Sequence, residues 1–272
     1  MTAETDGPDP TRSLLAFFGC ELCRIRTEVG MSQGKLARAA HTTQSMISKI
    51  EAAKRVPSEE LATDLDAALG TGGHFGRLYP LVIHHAYPSW FLPYIELEPD
   101  ATSVRSFENL VMPGLLQTEE YARAIVSTGD AVDAEDLVAA RISRQRLFER
   151  EVPPRLWFIM EEYVLLRHVG GRAIMQAQLQ RLLEAGRESR TVIQVIPRSV
   201  PVHAALAGAF QILGFEEDPD VLYVDGFSQG RIALDAAEVD AAARAYDLLR
   251  AVALSPEASA ELIGAHLEGL KQ

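Results

Sequence analysis

Two short motifs combine residue types that can do chemistry. Cys20 and Cys23 form a C-x-x-C pair, a spacing found in redox and zinc sites. Zinc needs four ligands, and no second cysteine pair or finger-like histidine pair follows in the sequence. Redox use favours a pair at the start of a helix that follows a strand, whereas these cysteines fall within a predicted helix. We therefore expect both to be ordinary helix residues.

The second motif is the G-x-S-x-G segment 226–230, which directly follows an apolar segment. Ser228, Asp235 or Asp240, and His266 stand in the Ser, Asp, His order of α/β-hydrolases. That fold requires several strands after the nucleophile, but only 42 residues follow Gly230 and their pattern is that of two helices. We expect no enzyme activity, no cofactor and no metal site.

The charges of the chain are segregated. The formal net charge of −12 taken alone disfavours a nucleic-acid partner, because phosphate binding needs a basic surface. Residues 11–56, however, hold eight basic and three acidic residues, while the remainder holds 18 basic and 35 acidic residues. This distribution is typical of a protein that touches DNA at one end.

The length and composition favour two globular domains. The chain has 272 residues, of which 47% are hydrophobic and 24% are charged, and single cores stop growing near this length. The sequence contains no apolar run of eighteen residues, and its acidic N-terminal segment is unlike a signal peptide. We expect a cytoplasmic protein without membrane contact.

Four short helices are predicted before residue 70. Apolar residues at positions 15, 18, 22, 25 and 29 follow a 3,4,3,4 spacing, which marks one face of a first helix ending at Gly30. Ser32 and Thr43 are predicted to cap the second and third helices, and Pro57 and Ser58 to start a fourth. Two helices joined by such a short turn have the geometry that places the second helix in the major groove of DNA. A four-helix packing domain is the alternative interpretation.

This region resembles a known family. The residues GMSQGKLA at 30–37, TTQSMISKIE at 42–51 and KRVP at 54–57 are similar to the xenobiotic-response-element family of helix-turn-helix proteins, which includes the lambda repressor and Cro. The resemblance covers about residues 14–70. His41 and Ala53 stand where the family usually has glycine, at positions that often need a positive φ.

The resemblance implies roles for individual residues. Base edges would be read by Thr43, Gln44, Ser45, Ser48 and Lys49. Gln33 would bind a phosphate and brace Gln44, while Lys54 and Arg55 would hold the DNA backbone. Arg26 and Glu51 match an ion pair that ties the first helix to the third, so we expect a structural role for both.

A domain boundary is predicted at residues 70–76, which contain four glycines. We predict a helix-turn-helix domain over residues 12–70, a glycine-rich linker over 71–77 and a second domain over 78–272. Strands are predicted near residues 102–107, 155–160, 191–196, 209–214 and 221–225. Helices are predicted near residues 118–128, 134–150, 171–186, 236–254 and 255–267. The expected fold class is an all-α helix-turn-helix domain followed by an α+β domain.

The second domain also resembles a known family. Segments 111–123, 141–145, 158–171, 178–179 and 255–256 are similar to the C-terminal domain of actinobacterial antitoxin-like transcriptional regulators, which pair it with a helix-turn-helix domain. The resemblance implies a transcriptional regulator that works with a small toxin-like partner protein. Candidate positions for binding a partner or effector are Tyr121, Arg141, Arg144, Trp157, Phe158 and Glu161.

Two hypotheses follow from these patterns. The first is a sequence-specific regulator that binds double-stranded DNA as a homodimer and whose second domain binds a small partner protein or an effector. The second is an antitoxin-like module that mainly holds a toxin-like partner and binds DNA for autoregulation. A small-molecule sensor with an aromatic pocket around Tyr121, Trp157 and Phe158 is a further alternative.

Overall fold

Side-chain caps delimit the first helices of the chain. The computed structural model describes residues 8–128 and 134–271. Ser32 Oγ accepts a hydrogen bond from the amide of Lys35 at 3.2 Å, and Thr43 Oγ1 accepts one from the amide of Met46 at 3.1 Å. Ser13 and Ser58 cap in the same way, which offsets the loss of helical partners at a helix start. The resulting helices are α1 (Leu14–Glu28), α2 (Gln33–Ala39), α3 (Gln44–Glu51) and α4 (Glu59–Leu69).

The glycine-rich segment is an ordered connection between two helices. Gly70, Gly72 and Gly73 have φ angles of 66°, 62° and 84°, a region that glycine adopts without a steric penalty. The carboxylate of Asp66 accepts hydrogen bonds from the amides of Phe75 at 2.9 Å and Gly76 at 2.8 Å. These amides open α5 (His74–Ala86), which packs on α1 and α4. The predicted linker over residues 71–77 is corrected accordingly.

A distant segment completes the helical unit. Residues Val126–Ser143, which contain α8 (Ala134–Ser143), group with residues Met1–Ser89. The Tyr87 hydroxyl donates a hydrogen bond to the Ala140 carbonyl at 2.7 Å, and the Val56 amide donates one to Ser143 Oγ at 2.8 Å. The division of the chain therefore differs from the predicted boundary near residue 77.

The second unit, Trp90–Ile125 with Arg144–Gln272, is built on a mixed sheet of six strands. Strands β1, β2 and β3 are parallel, whereas β4, β5 and β6 continue the sheet in antiparallel pairs, in the order β3-β2-β1-β4-β5-β6. The strands are β1 (Ser103–Glu108), β2 (Arg155–Glu161), β3 (Thr191–Ile196), β4 (Phe210–Gly214), β5 (Val221–Val224) and β6 (Arg231–Ala233). The first five were predicted, and β6 was not.

Helices cover this sheet and one of its edges. Tyr246 and Leu249 of α11 (Ala236–Val252) lie in one apolar cluster with Phe107 of β1 and Ile159 of β2. The edge strand β3 is bound by the segment between the last two helices, since the Leu254 amide donates to the Val195 carbonyl at 2.9 Å. The helices are α6 (Leu92–Leu97), α7 (Glu119–Val126), α9 (Glu162–Leu166), α10 (Arg172–Ala185), α11 (Ala236–Val252) and α12 (Pro256–Gly269).

The architecture confirms the predicted fold class, an all-α unit followed by an α+β unit. The predicted helix over residues 134–150 is divided into α8 and a 3₁₀ helix, Arg144–Glu149. Among the described residues, none of the helices is both long and apolar enough to cross a membrane.

Candidate nucleic-acid interface

The turn between α2 and α3 is a tight left-handed helix end. His41 has a φ of 51°, and the amide of Thr42 donates a hydrogen bond to the carbonyl of Ala37 at 2.8 Å. This bond closes a Schellman motif, which usually has glycine at the left-handed position. The turn then leads at once to the N-cap Thr43, so four residues separate the end of α2 from the start of α3.

The end of α3 repeats this geometry. Ala53 has a φ of 55°, and the amide of Lys54 donates to the carbonyl of Lys49 at 2.8 Å. The backbone at residues 41 and 53 therefore has the conformation that glycine favours, which agrees with the expectation drawn from the family pattern. The second motif also places the exposed Lys54 directly beyond α3.

The two sides of α3 differ sharply in burial. Ile47 and Ile50 are both fully buried. The exposed residues of the opposite side are Gln44, Ser45, Ser48 and Lys49. Within residues 8–128 and 134–271, the side chains of these four residues have no hydrogen bond or ion pair. Their amide, hydroxyl and ammonium groups are free to bind a ligand.

A glycine lets α1 approach the end of α3. A Cβ placed on Gly19 would lie 2.5 Å from the carbonyl oxygen of Ile50 and 2.9 Å from that of Glu51, closer than such atoms come in real structures. Gly34 on α2 is less restricted, since its Cβ would lie 3.4 Å from Oε1 at the flexible end of the Gln44 side chain. Neither contact was predicted from the sequence.

Glu51 joins three helices at the base of the exposed α3 face. Its carboxylate is 7% exposed and accepts hydrogen bonds from Arg26 Nη2 at 3.0 Å and from Gln33 Nε2 at 2.7 Å. Arg26 Nε also donates to Glu51, while Arg26 Nη1 donates to the Met31 carbonyl at 2.8 Å. The hydrogen bonds to Glu51 raise the pKa of Arg26 above its ordinary value. The expected ion pair is present, and Gln33 bonds to Glu51, whereas no hydrogen bond joins Gln33 to Gln44 among the described residues.

Further cations surround this helix pair. Lys35 and Arg38 on α2 are exposed, as is Lys54. Arg55 is half-buried and donates from Nη1 to the Lys54 carbonyl at 2.8 Å. Lys35 and Arg38 were not predicted as site residues, although the local excess of basic residues pointed to this segment.

The cysteine pair has an ordinary environment. Cys20 and Cys23 lie on α1 as free thiols, and Cys20 Sγ donates a hydrogen bond to the Pro8 carbonyl at 2.8 Å. Burial raises the pKa of the Cys20 thiol, which disfavours the reactive thiolate. The described residues contain no group of three His, Cys, Asp or Glu side chains that could hold a metal ion.

Three of the partner or effector positions predicted in the second domain are buried. Tyr121 is fully buried and its hydroxyl accepts a hydrogen bond from the Met112 amide, and Phe158 is 1% exposed. Arg144 binds the buried carboxylate of Glu98 through Nε at 2.9 Å and Nη2 at 2.6 Å. These three side chains hold the fold together, which corrects the prediction that they contact a partner.

The other three positions lie apart. Arg141 belongs to α8 in the helical unit. Glu161 ends β2 and its Oε1 lies 2.9 Å from Nε2 of His203. Trp157 is half-buried and lines a cavity on the sheet face, whereas Tyr121 and Phe158 do not line it. Trp157 and Phe158 are neighbours on β2 and project from opposite faces of the sheet, so in the described part of the chain the three aromatic side chains do not line one pocket.

No hydrogen bond joins the residues of the hydrolase-like motif to one another in the described part of the chain. Asp235 Oδ1 caps α11 by accepting from the amides of Ala237 and Glu238, each at 3.1 Å. His266 Nε2 lies 3.3 Å from Oε1 of the buried Glu162. Ser228 is exposed in a loop, and no described side chain bonds to it.

Two parts of the chain match known protein families. Residues 91–265 match the family described as a domain of unknown function, DUF5753. The chain belongs to the DUF5753 family. Residues 18–74 match a helix-turn-helix domain, which covers α2, α3 and the exposed α3 face. No curated protein and no solved structure matches the chain.

This DUF5753 protein therefore carries a helix-turn-helix domain at its N-terminal end, and that domain supports a DNA-binding regulator. The DUF5753 match begins at residue 91, next to the start of the second unit at Trp90. The matched region includes the whole mixed sheet.

Proposed function

We propose that the protein is a sequence-specific transcriptional regulator of the xenobiotic-response-element type, which reads DNA with α3. The observation that carries this proposal is the free polar face of α3, opposite Ile47 and Ile50. Glutamine can bind adenine through two hydrogen bonds, and lysine can bind guanine or phosphate. Gln44 and Lys49 are therefore the principal reading residues, and Ser45 and Ser48 add shorter contacts.

The surrounding groups support this role for α3. The Thr43 hydroxyl caps α3, so this residue would position the helix while its exposed side chain approaches DNA. Lys54 and Arg55 would bind the phosphate backbone, and such contacts set the register without reading sequence. Gln33 would act on the site through Glu51.

The first experiment measures DNA binding by the full chain. A preferred site is selected from random double-stranded DNA, and its affinity is measured by fluorescence anisotropy. The double variant Gln44→Ala, Lys49→Ala should bind this site roughly a hundredfold more weakly, since each base contact contributes about tenfold. It should also lose the preference for the selected site over shuffled DNA.

A matched control removes the same side-chain types elsewhere. Gln180→Ala with Lys271→Ala changes two exposed residues of the second unit and should leave affinity and sequence preference unchanged. If Lys49 binds the DNA backbone, Lys49→Ala alone should make the logarithm of the affinity fall less steeply with the logarithm of the salt concentration, by the contribution of about one phosphate contact. An unchanged preference in the Gln44, Lys49 variant would overturn the assignment of α3.

We further propose that the regulator acts as a homodimer. One helix-turn-helix unit reads few base pairs, and two-fold proteins usually bind half-sites about 34 Å apart. Light scattering of the protein with and without its selected DNA measures the stoichiometry. A selected site without repeated half-sites, bound by one chain, would contradict dimeric recognition.

The proposed role of the DUF5753 region is regulation without catalysis, through a small partner protein or an effector. Support for a protein partner comes from the resemblance to antitoxin-like regulators and from large apolar side chains exposed in two loops. These are Val202, Leu206 and Phe227. Co-expression with the product of a short neighbouring reading frame, followed by purification of the regulator, tests for a toxin-like partner. Ester hydrolysis that Ser228→Ala abolishes would instead indicate an enzyme.

A further inference from the structure

An arginine-rich cavity lies on one face of the sheet in the second unit. It has a volume of about 730 Å³, within the range of cavities that bind small molecules. Its lining residues are Ser103, Arg105, Arg155, Leu156, Trp157, Ser189, Arg190, Val192 and Arg250. Four of these nine residues are arginines, and no acidic residue lines the cavity within the described part of the chain.

The strand register explains how these residues meet. Ser103 of β1 pairs with Arg155 of β2, Arg105 pairs with Trp157, and Trp157 pairs with Val192 of β3. Residues paired across neighbouring strands project from the same face of a sheet. The cavity therefore occupies that face near the beginnings of the three parallel strands.

The helix α11 covers the rest of this face and forms one wall. Tyr246 of α11 packs in the apolar cluster of the sheet, and its hydroxyl donates a hydrogen bond to the Trp157 carbonyl at 2.7 Å. Arg250, one turn further along α11, lies over the indole ring of Trp157 at 4.0 Å from its centroid. The indole is also fixed by a hydrogen bond from Nε1 to Gln194 Oε1 at 2.8 Å. A planar surface is thus held in place at the edge of the cavity.

Two of the four guanidinium groups have no acidic partner within residues 8–128 and 134–271. Arg105 binds Asp220, and Arg250 Nη1 lies 3.3 Å from Asp247 Oδ1. The exposed Arg190 donates to the Pro153 carbonyl at 3.2 Å, and its side chain has no other hydrogen bond to a described residue. Arg155 is exposed and its side chain bonds to no described residue. The cavity has two uncompensated positive charges in a chain whose formal net charge is −12.

We propose that this cavity binds a small molecule that joins a phosphate group to a planar ring. A phosphate monoester carries a charge of about −1.5 to −2 at neutral pH, which matches Arg155 and Arg190. The fork of a guanidinium group binds phosphate oxygens in pairs, and the hydroxyls of Ser103 and Ser189 are further donors. The ring would stack on the surface made by Trp157 and Arg250. This proposal names the effector class of the proposed regulator, and binding to the cavity can be measured without DNA.

Isothermal titration calorimetry of the full chain, free of DNA, tests this proposal. Adenosine 5′-monophosphate and pyridoxine 5′-phosphate represent a nucleotide and a non-nucleotide ring phosphate. Inorganic phosphate and adenosine represent the two parts separately. At least one ring phosphate should bind at or below about 1 mM, and at least tenfold more tightly than either part. The ring phosphate that binds more tightly shows whether the ligand is a nucleotide or a non-nucleotide ring phosphate.

Variants locate the binding. Arg155→Gln with Arg190→Gln should weaken binding of that ring phosphate at least tenfold, since each bond to a charged group contributes strongly. Both residues are exposed, so the change should leave the circular dichroism spectrum intact. Arg155→Lys with Arg190→Lys keeps the charges without the forks and should bind with intermediate affinity. The control Arg172→Gln with Arg244→Gln removes two exposed arginines that do not line the cavity and should not change binding.

Three results would overturn the proposal. The first is that neither ring phosphate gives a binding heat up to about 5 mM. The second is that the control variant loses as much affinity as Arg155→Gln with Arg190→Gln. The third is that a hexaglutamate peptide binds and the ring phosphates do not. The last result would assign the cavity to an acidic protein partner. The Gln44→Ala, Lys49→Ala variant should bind ring phosphates normally, so failure of DNA recognition and failure of this site are distinguishable.

Discussion

Gln33 donates a hydrogen bond from its side-chain amide to Glu51, with 2.7 Å between Nε2 and Oε2. This bond joins the start of α2 to the end of α3, and Arg26 of α1 binds the same carboxylate. The three side chains therefore fix both ends of the helix-turn-helix relative to α1. Gln33 can therefore influence DNA binding by holding α3, and the phosphate contact expected for it stays a prediction.

Arg26 and Glu51 should stabilise the fold only when both are present. The side chains of these residues are 13% and 7% exposed, and removal of one partner leaves the other charge buried without compensation. Glu51→Met should lower the free energy of unfolding by about 3 kcal/mol. The double variant Arg26→Met, Glu51→Met should be less destabilised than Glu51→Met alone. Urea denaturation followed by circular dichroism measures both, and a double variant less stable than Glu51→Met would contradict this account.

The left-handed turn at His41 should be improved by glycine. A residue with a Cβ is strained by about 1 to 2 kcal/mol in this conformation, and the φ of His41 is 51°. His41→Gly should therefore raise the free energy of unfolding by about 1 kcal/mol, since part of the gain is offset by the entropy of glycine in the unfolded chain.

The converse change provides the control. Gly30 has a φ of 67° at the end of α1, with open space around the position of a Cβ. Gly30→Ala should lower the stability by about 1 kcal/mol through backbone strain alone. Equal effects of the same sign in the two variants would show that strain at these turns does not determine stability.

Gly19 should tolerate no larger residue. The carbonyl oxygen of Ile50 lies 2.5 Å from the position of its Cβ, and backbone atoms cannot move aside as a flexible side chain can. Gly19→Ala should destabilise the helical unit by about 2 kcal/mol and shift α3, despite the better helix propensity of alanine. Gly34→Ala is the matched comparison, because only the flexible end of Gln44 lies near its Cβ. A thermal melt should place Gly34→Ala at or above the wild type.

Local signals predicted the helix-turn-helix well. The caps Ser32 and Thr43 act on amides three residues away, and the buried positions of α1 follow helical spacing. Both kinds of information lie within a few residues of the element that they define. The free polar face of α3 could be predicted for the same reason.

The membership of α8 in the helical unit depends on contacts between distant residues. The bond between Val56 and Ser143 joins positions 87 residues apart, which no local pattern encodes. The cavity in the second unit has a similar origin, because Arg105 and Trp157 become neighbours only through the register of parallel strands. The short β6 is fixed by pairing with β5, and three residues carry too little periodicity to be recognised.

Glycines in the segment 70–76 led to the prediction of a flexible linker, although the same residues also suit left-handed turns. Asp66 makes this segment an ordered turn, because its carboxylate binds the first amides of α5. Burial acts to raise the pKa of Asp66, but the hydrogen bonds from Thr71 and from the amides of Gly76 and Phe75 outweigh it and hold the pKa below its usual range. The ionised form therefore stabilises the connection.

Asp66→Asn should lower the free energy of unfolding by about 2 kcal/mol at neutral pH, because one acceptor and the negative charge are lost. The pKa is lowered on folding, so the contribution of Asp66 is fully present above its unfolded value near 3.9 and is lost as the pH falls through the folded value. The stability difference between wild type and Asp66→Asn should thus be constant above about pH 5 and should shrink progressively in more acidic solution.

Asp64→Asn on the same helix, where the carboxylate has no partner among the described residues, should change stability by less than about 0.5 kcal/mol. Urea denaturation at a series of pH values measures both variants, and a difference for Asp66→Asn that does not decrease in acid would show that the carboxylate is not what orders this connection.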